Sequence, residues 1–152
     1  MEDTKQVIFR VGKEEYGLDI MLVNGIEKYI NIVSVPNAPK CIKGIINLRG
    51  DVIPVYSLRR KFGLEEAEIT DNTKLIVTRS KGVLMAYEVD EVEEIVEISK
   101  SQLSAVPNIV YNEQTTYMGA VANFDGRLVM LLNHDGIITD QEKVHIQNMV
   151  ID

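Results

Sequence analysis

Residues Ile42 to Leu58 read IKGIINLRGDVIPVYSL. Two apolar runs, Ile45-Ile46-Asn47-Leu48 and Val52-Ile53-Pro54-Val55, flank Arg49-Gly50-Asp51. Apolar strands on either side of a glycine-containing turn predict a β-hairpin. One sheet face, with Ile45 and Val52 on it, is expected to be buried. An arginine at the turn is costly to bury, so Arg49 is expected on display at the hairpin tip, where a binding protein carries recognition residues. The stretch describes a contact surface and holds no catalytic grouping.

Around this hairpin the chain is written twice. Val35-Pro36-Asn37 recurs as Val106-Pro107-Asn108, and Asn47-Leu48-Arg49-Gly50 recurs in outline as Asn123-Phe124-Asp125-Gly126. Ile20, Val23 and Ile26 match Val89, Val92 and Ile95. An opening hairpin, Val7–Val11 and Tyr16–Ile20 about a polar turn, has its counterpart in 74–78 and 83–89 about Ser80-Lys81-Gly82. After each hairpin a helical turn is expected, then a strand, at Tyr29–Val33 and at Glu94–Ile98. Short strands at such spacing point to barrels or sandwiches. Two units of about 70 residues are each marginal alone and are expected to pack together, leaving a groove between them.

Helix is scarce. Tyr56–Phe62 is expected to form one or two turns ended by Gly63. Thr139-Asp140-Gln141-Glu142 has capping-box form ahead of Val144, Gln147 and Met149, which predicts a C-terminal helix covering a barrel end. The organisation expected is a single domain over 1–152, with approximate subdomains 1–70 and 71–138 and a helix over 139–150. Exchange of strands between the subdomains is left open.

The formal charge of −7 is unevenly placed: residues 1–70 balance ten Lys/Arg against ten Asp/Glu, whereas 71–152 hold six against thirteen. Nucleic acid is a poor partner for such a field. A basic cluster, Lys40, Lys43, Arg49, Arg59, Arg60 and Lys61, is either a solvated face or a docking patch for an acidic protein. The acidic run Glu88, Asp90, Glu91, Glu93, Glu94 and Glu97 is expected on the solvated side of a strand pair and lacks the offsets of a calcium loop. Arg49-Gly50-Asp51 spells an integrin tripeptide, which a cytoplasmic chain cannot present.

No apolar run is long enough to span a membrane and MEDTKQ is not a secretory leader, so a cytoplasmic location is expected. The one cysteine, Cys41, excludes an internal disulfide and is expected to pack as a small core or edge residue. His134 and the adjacent Asp135 point apart on a short helix and are not placed for proton relay, His145 is expected at the surface, and no hydrolase, metal, phosphate or dinucleotide motif occurs. No catalytic residue, metal or cofactor is expected.

Glu14-Glu15-Tyr16-Gly17-Leu18-Asp19-Ile20, Ile42-Lys43-Gly44, Asn47-Leu48-Arg49-Gly50, Pro54-Val55 and Val89-Asp90-x-Val92 occur in an order and spacing that resemble the CheW family of bacterial chemotaxis coupling proteins. The resemblance runs from about residue 7 to 140. It implies a mainly β fold of two SH3-like five-stranded β-barrels and no enzymatic activity. It also implies a scaffold that bridges chemoreceptor cytoplasmic tips to the regulatory domain of the histidine kinase CheA. The protein would be monomeric when free and recruited to membrane-associated receptor arrays without inserting in the bilayer. By the same resemblance Arg49, Val23, Gly44 and Gly50 serve receptor binding in a groove between the barrels, and Ile42, Val52 and Ile53 are assigned to the kinase contact. Gly25 stands where the family commonly has a glutamate, and Ser57 where it has an aspartate. A related adaptor of a non-motility kinase system (type IV pilus or developmental signalling) and a small enzyme or ligand-binding barrel remain open alternatives.

Overall fold

The computed structural model describes residues 3–80, 82–107 and 115–150, the last four without their side chains. Asn108 and Lys81, and the side chains of Gln147 and Met149, lie outside this description.

The chain runs β1 (Thr4–Val11), β2 (Glu14–Asp19), a 3₁₀ turn (Ile20–Leu22), β3 (Val23–Lys28), β4 (Ile42–Leu48), β5 (Asp51–Ser57) and α1 (Leu58–Lys61). It continues with β6 (Lys74–Ser80), β7 (Val83–Val89), β8 (Glu91–Ile98), a second 3₁₀ turn (Lys100–Gln102) and β9 (Leu103–Ser104). It closes with β10 (Met118–Phe124), β11 (Arg127–Leu132), α2 (His134–Ile137) and α3 (Asp140–Val150). The first helical turn follows the opening hairpin as expected. The strand after it is Val23–Lys28 rather than Tyr29–Val33, which contributes only an isolated bridge from Val33 to Ile45. In the second half the strand starts at Glu91 with no turn before it, and the 3₁₀ turn follows it.

Two sheets form, ordered β8-β1-β2-β11-β10-β9 and β3-β6-β7-β5-β4. Each takes strands from both halves of the chain. Hairpin β1–β2 joins the second-half strands, and hairpin β6–β7 joins the first-half ones, so the sheets do not divide at residue 70. The second barrel also gains a sixth strand, the two-residue β9.

The repeat is visible in the pairing register. Val23 and Gly25 pair with Thr78 and Val77 around a bulge at Asn24. Val92 and Glu94 pair with Phe9 and Ile8 around one at Glu93, 69 residues on. The irregularity between Ile42 and Gly44 recurs 76 residues later between Met118 and Ala120. The parallel pairs Val55–Ala86 and Leu131–Gly17 are likewise equivalent. There the side-chain volumes are exchanged: a Cβ on Gly17 would lie 2.6 Å from Leu131, whereas the smaller Val55 faces an alanine.

Period-two alternation then builds three cores. Ile8, Ile98, Ala122, Phe124, Val129 and Leu131 fill one barrel. Ile46, Ile53, Val55, Leu75, Val77 and Ala86 fill the other. Val7, Phe9, Val11, Ile42, Tyr56, Ile76 and Tyr87 pack between them, with Leu58, Ile137 and Ile146 from the helices. The central strands are buried on both faces because each separates a barrel interior from the shared interface.

α1 begins at Ser57, whose Oγ accepts from Arg60 N. The hydroxyl thus performs the N-cap role that an aspartate would perform. α3 begins with the capping box: Thr139 Oγ1 accepts from Glu142 N, and Glu142 Oε1 accepts from Thr139 N. Its inward residues are Glu142 and Ile146, while Val144 is exposed, contrary to the apolar face expected from it. The Tyr56 hydroxyl lies 2.9 Å from Glu142 Oε1 and 3.1 Å from the Ile137 carbonyl oxygen, fixing the helix to the interface.

Candidate contact surface

β4 and β5 pair from Ile42–Tyr56 to Leu48–Asp51 and are joined by Arg49-Gly50. Both turn residues are left-handed, with φ 51° and 91°. This is the primed turn whose twist suits a two-residue hairpin. Glycine meets that demand without strain at position 50, while Arg49 bears it as a non-glycine residue. Asn47 Oδ1 accepts from Gly50 N at 3.1 Å and braces the turn.

The buried face of this hairpin is the opposite of the one expected. Ile46 and Ile53 point into the barrel, and Val52 is 48% exposed. Ile42 (3% exposed) and Ile53 (1%) are core residues, so their side chains are closed to a kinase. Of the three residues assigned to that contact only Val52 is open. The hairpin carries apolar residues on both faces, so composition does not say which face looks inward.

The Arg49 side chain is 71% exposed, as its turn position requires. Its Nη1 and Nη2 donate to the two carboxylate oxygens of Glu27, each at 3.3 Å. That carboxylate, with a smaller contribution from Asp51, raises the guanidinium pKa further above its ordinary value. Glu27 is a residue sequence reasoning missed; the signal available was its place two residues beyond Gly25 on a strand. A Cβ built on Gly25 would lie 3.1 Å from Glu27 Oε2. The Glu27 carboxylate therefore lies against Gly25, the position at which the resemblance leads one to expect a glutamate.

Gly44 sits at the bulge of β4, and a Cβ there would come within 2.1 Å of the Val33 carbonyl oxygen. It lets the 30–41 segment cross the hairpin, and Val33 and Ile45 exchange backbone hydrogen bonds of 2.9 Å. Val23 begins β3 and packs, partly buried, on the interface core. The structure therefore gathers Arg49, Gly50 and Glu27 at one rim and leaves Val23 at the other end of β3. A cavity of about 200 Å³ beside α3 is lined by Ser80, Val83, Met85, His134, Asp135, Ile138, Lys143 and Ile146, and by neither Arg49 nor Val23.

The basic cluster is largely paired within the chain rather than offered as a patch. Lys43 Nζ lies 3.0 Å from both oxygens of Glu88, and Arg59 holds Asp90 at 2.7 and 2.9 Å. Arg60 pairs with Glu66 and Arg49 with Glu27. The acidic run is correspondingly occupied. Arg10 meets Glu91 and Glu93, and Arg127 meets Glu94 and Glu15. Burial raises the Asp90 pKa, but Arg59 and the Gly12 N–H outweigh it and hold the carboxyl below its ordinary value. Much of the acidic excess of the second half therefore neutralises first-half cations, chiefly within one sheet, because the exchanged hairpins bring strands of both halves together.

Cys41 is half-buried, and burial raises its thiol pKa, which reduces thiolate. His134 stands edge-on to Tyr87, with Nε2 3.3 Å from the Tyr87 hydroxyl and 3.4 Å from Thr78 Oγ1. His145 is half-buried rather than on the surface. Among the described residues no group of three or more His, Cys, Asp or Glu could hold a metal, and no helix is long and apolar enough to cross a membrane.

Two intertwined β-barrels, with an exposed arginine at one hairpin tip, define a mainly β protein. The chain belongs to the CheW-like domain family, whose model matches residues 5–142. It is 29% identical to the chemotaxis protein CheW of Klebsiella aerogenes over 143 residues, covering 94% of this chain and 86% of that one. It is 32% identical to the Helicobacter pylori chemotaxis protein CheW over 142 residues, covering 90% and 85%. The crystal structure of the scaffolding protein TtCheW from Thermoanaerobacter tengcongensis superposes with a TM-score of 0.82 at 27% identity, covering 93% of this chain and 91% of that one.

Proposed function

We propose that this protein is a chemotaxis scaffold that couples chemoreceptor cytoplasmic tips to the histidine kinase CheA. The observation that carries the reading is the exposed Arg49 on a braced left-handed turn, within a chain of CheW-like family. Receptor helices would dock beside β3, with the Arg49 guanidinium forming charge-assisted hydrogen bonds to their acidic side chains and Val23 supporting the neighbouring wall. Gly44 and Gly50 act through backbone shape: one permits the crossing beneath the hairpin, the other its turn. The kinase regulatory domain would meet a barrel surface that includes Val52.

The protein performs no turnover in this reading and works in the cytoplasm as a monomer until recruited to receptor arrays. Hairpin exchange supports reading the chain as a single body, since neither barrel is complete without strands from the other half. One rigid body bound to receptor and kinase lets a receptor shift bias the kinase equilibrium through differential contacts.

The test is size-exclusion chromatography of the protein with the kinase regulatory domain and a receptor cytoplasmic signalling fragment. A ternary complex is expected. Failure to bind either partner would overturn the coupling role.

A further inference from the structure

The two barrels close the same seam with a glutamate–arginine pair, but at different places. In the second barrel Glu94 of β8 meets Arg127 at the start of β11, at 3.0 Å. By the repeat shifts of 69 and 76 established in the register, those positions correspond to Gly25 and Asp51, which cannot make the pair. The first barrel instead joins Glu27 to Arg49, two residues further along β3 and two residues back on the hairpin. The pair is thus shifted by two residues on each element, to the tip of the hairpin.

The step changes the character of the pair. Arg127 is 34% exposed and is held by a second carboxylate, Glu15, at 3.0 Å, with its guanidinium 4.7 Å from the Phe124 ring centre. Arg49 is 71% exposed and rests on Glu27 through two 3.3 Å contacts, longer than the 2.7–2.9 Å usual for a charged pair. The arginine stands in solvent while the Glu27 carboxylate is 22% exposed, so the contact is open to exchange from the arginine side. Above Gly25 there is no side chain to confine the Glu27 carboxylate.

We propose that Glu27 is an internal competitor for Arg49: its carboxylate holds the tip guanidinium in the free protein, and an acidic side chain of the docking partner takes its place. The inference rests on the reading of Arg49 as a contact residue. Glu27 thereby sets the threshold of the site, since a partner must offer a carboxylate better placed than the resident one. The displaced Glu27 carboxylate is then solvated by water.

The experiment measures binding of a receptor cytoplasmic signalling fragment to wild type, Glu27→Gln, Arg49→Ala and the double variant by calorimetry. Glu27→Gln keeps size and shape and is expected to tighten binding about two- to fivefold, the affinity equivalent of losing one exposed ion pair. Its melting temperature should stay within about 2 °C of wild type. The gain should vanish in the double variant. If Arg49→Ala weakens binding while Glu27→Gln leaves it unchanged or weaker, the competitor role is overturned and the Arg49 contact stands. If Arg49→Ala binds as wild type does, the contact reading fails and the competitor role fails with it.

Discussion

Arg49 and Asp125 occupy the same place in two copies of one hairpin, each the first turn residue and each with φ 51°. Glycines with positive φ, Gly50 and Gly126, follow them. The backbone is shared and the chemistry is not. The first tip displays its cation, whereas the second keeps its cation, Arg127, bound to Glu15 and Glu94. The duplicated scaffold thus presents two tips of one shape and different charge, with Arg49 71% exposed at the first and paired with Glu27.

Arg49→Ala should reduce affinity for a receptor signalling fragment about tenfold or more, the effect of removing a hot-spot arginine. The circular dichroism spectrum should not change, because an exposed turn side chain supports little else.

Gly44→Ala should be strongly destabilising, by about 2 kcal/mol or more, because the added carbon meets the Val33 carbonyl oxygen, which is fixed by the bridge to Ile45. Gly50→Ala meets no atom within 4 Å and carries only the left-handed backbone penalty, about 1 kcal/mol. Urea unfolding of the two variants should separate them in that order.

Glu88→Leu should lower stability by about 2–3 kcal/mol by leaving the Lys43 ammonium, 16% exposed, with only the 3.8 Å contact to Glu66. Pairing it with Lys43→Met should recover most of the loss. A double-mutant cycle from urea melts measures the coupling.

Asp90 links Arg59 on α1 to the Gly12 N–H of the opening turn, and its folded-state pKa is depressed. Its contribution is therefore complete above the unfolded carboxylate value of about 4 and is lost as pH falls through the folded one. Asp90→Asn should be less stable than wild type at pH 7, and the difference should shrink as pH falls below about 4. Chemical denaturation at pH 3, 4 and 7 would show it.

Tyr56→Phe should cost about 1–3 kcal/mol, because the buried Glu142 carboxylate loses a donor while the ring packing stays. The first element to loosen should be α3, visible as faster amide exchange over 140–146.

The sequence by itself determined the local pieces. Hairpin turns at Arg49-Gly50 and Asp125-Gly126, the capping box at Thr139 and Glu142, the scarcity of helix and the duplication are all short-range patterns. Turn chemistry and period-two alternation encode them within a few residues. Only the tertiary structure decided which hairpin completes which barrel. The exchange of β1–β2 and β6–β7 depends on pairings between distant strands, such as Arg10–Glu91 and Val55–Ala86, which neither half specifies alone. It also decided the burial of Ile42 and Ile53, because a strand apolar on both faces takes its orientation from what packs against it. The charges followed the same rule: Lys43, Arg59 and Arg49 look like a free basic cluster along the chain. Folding brings Glu88, Asp90 and Glu27 to them, and Coulomb attraction depends on distance in space, not on separation in sequence.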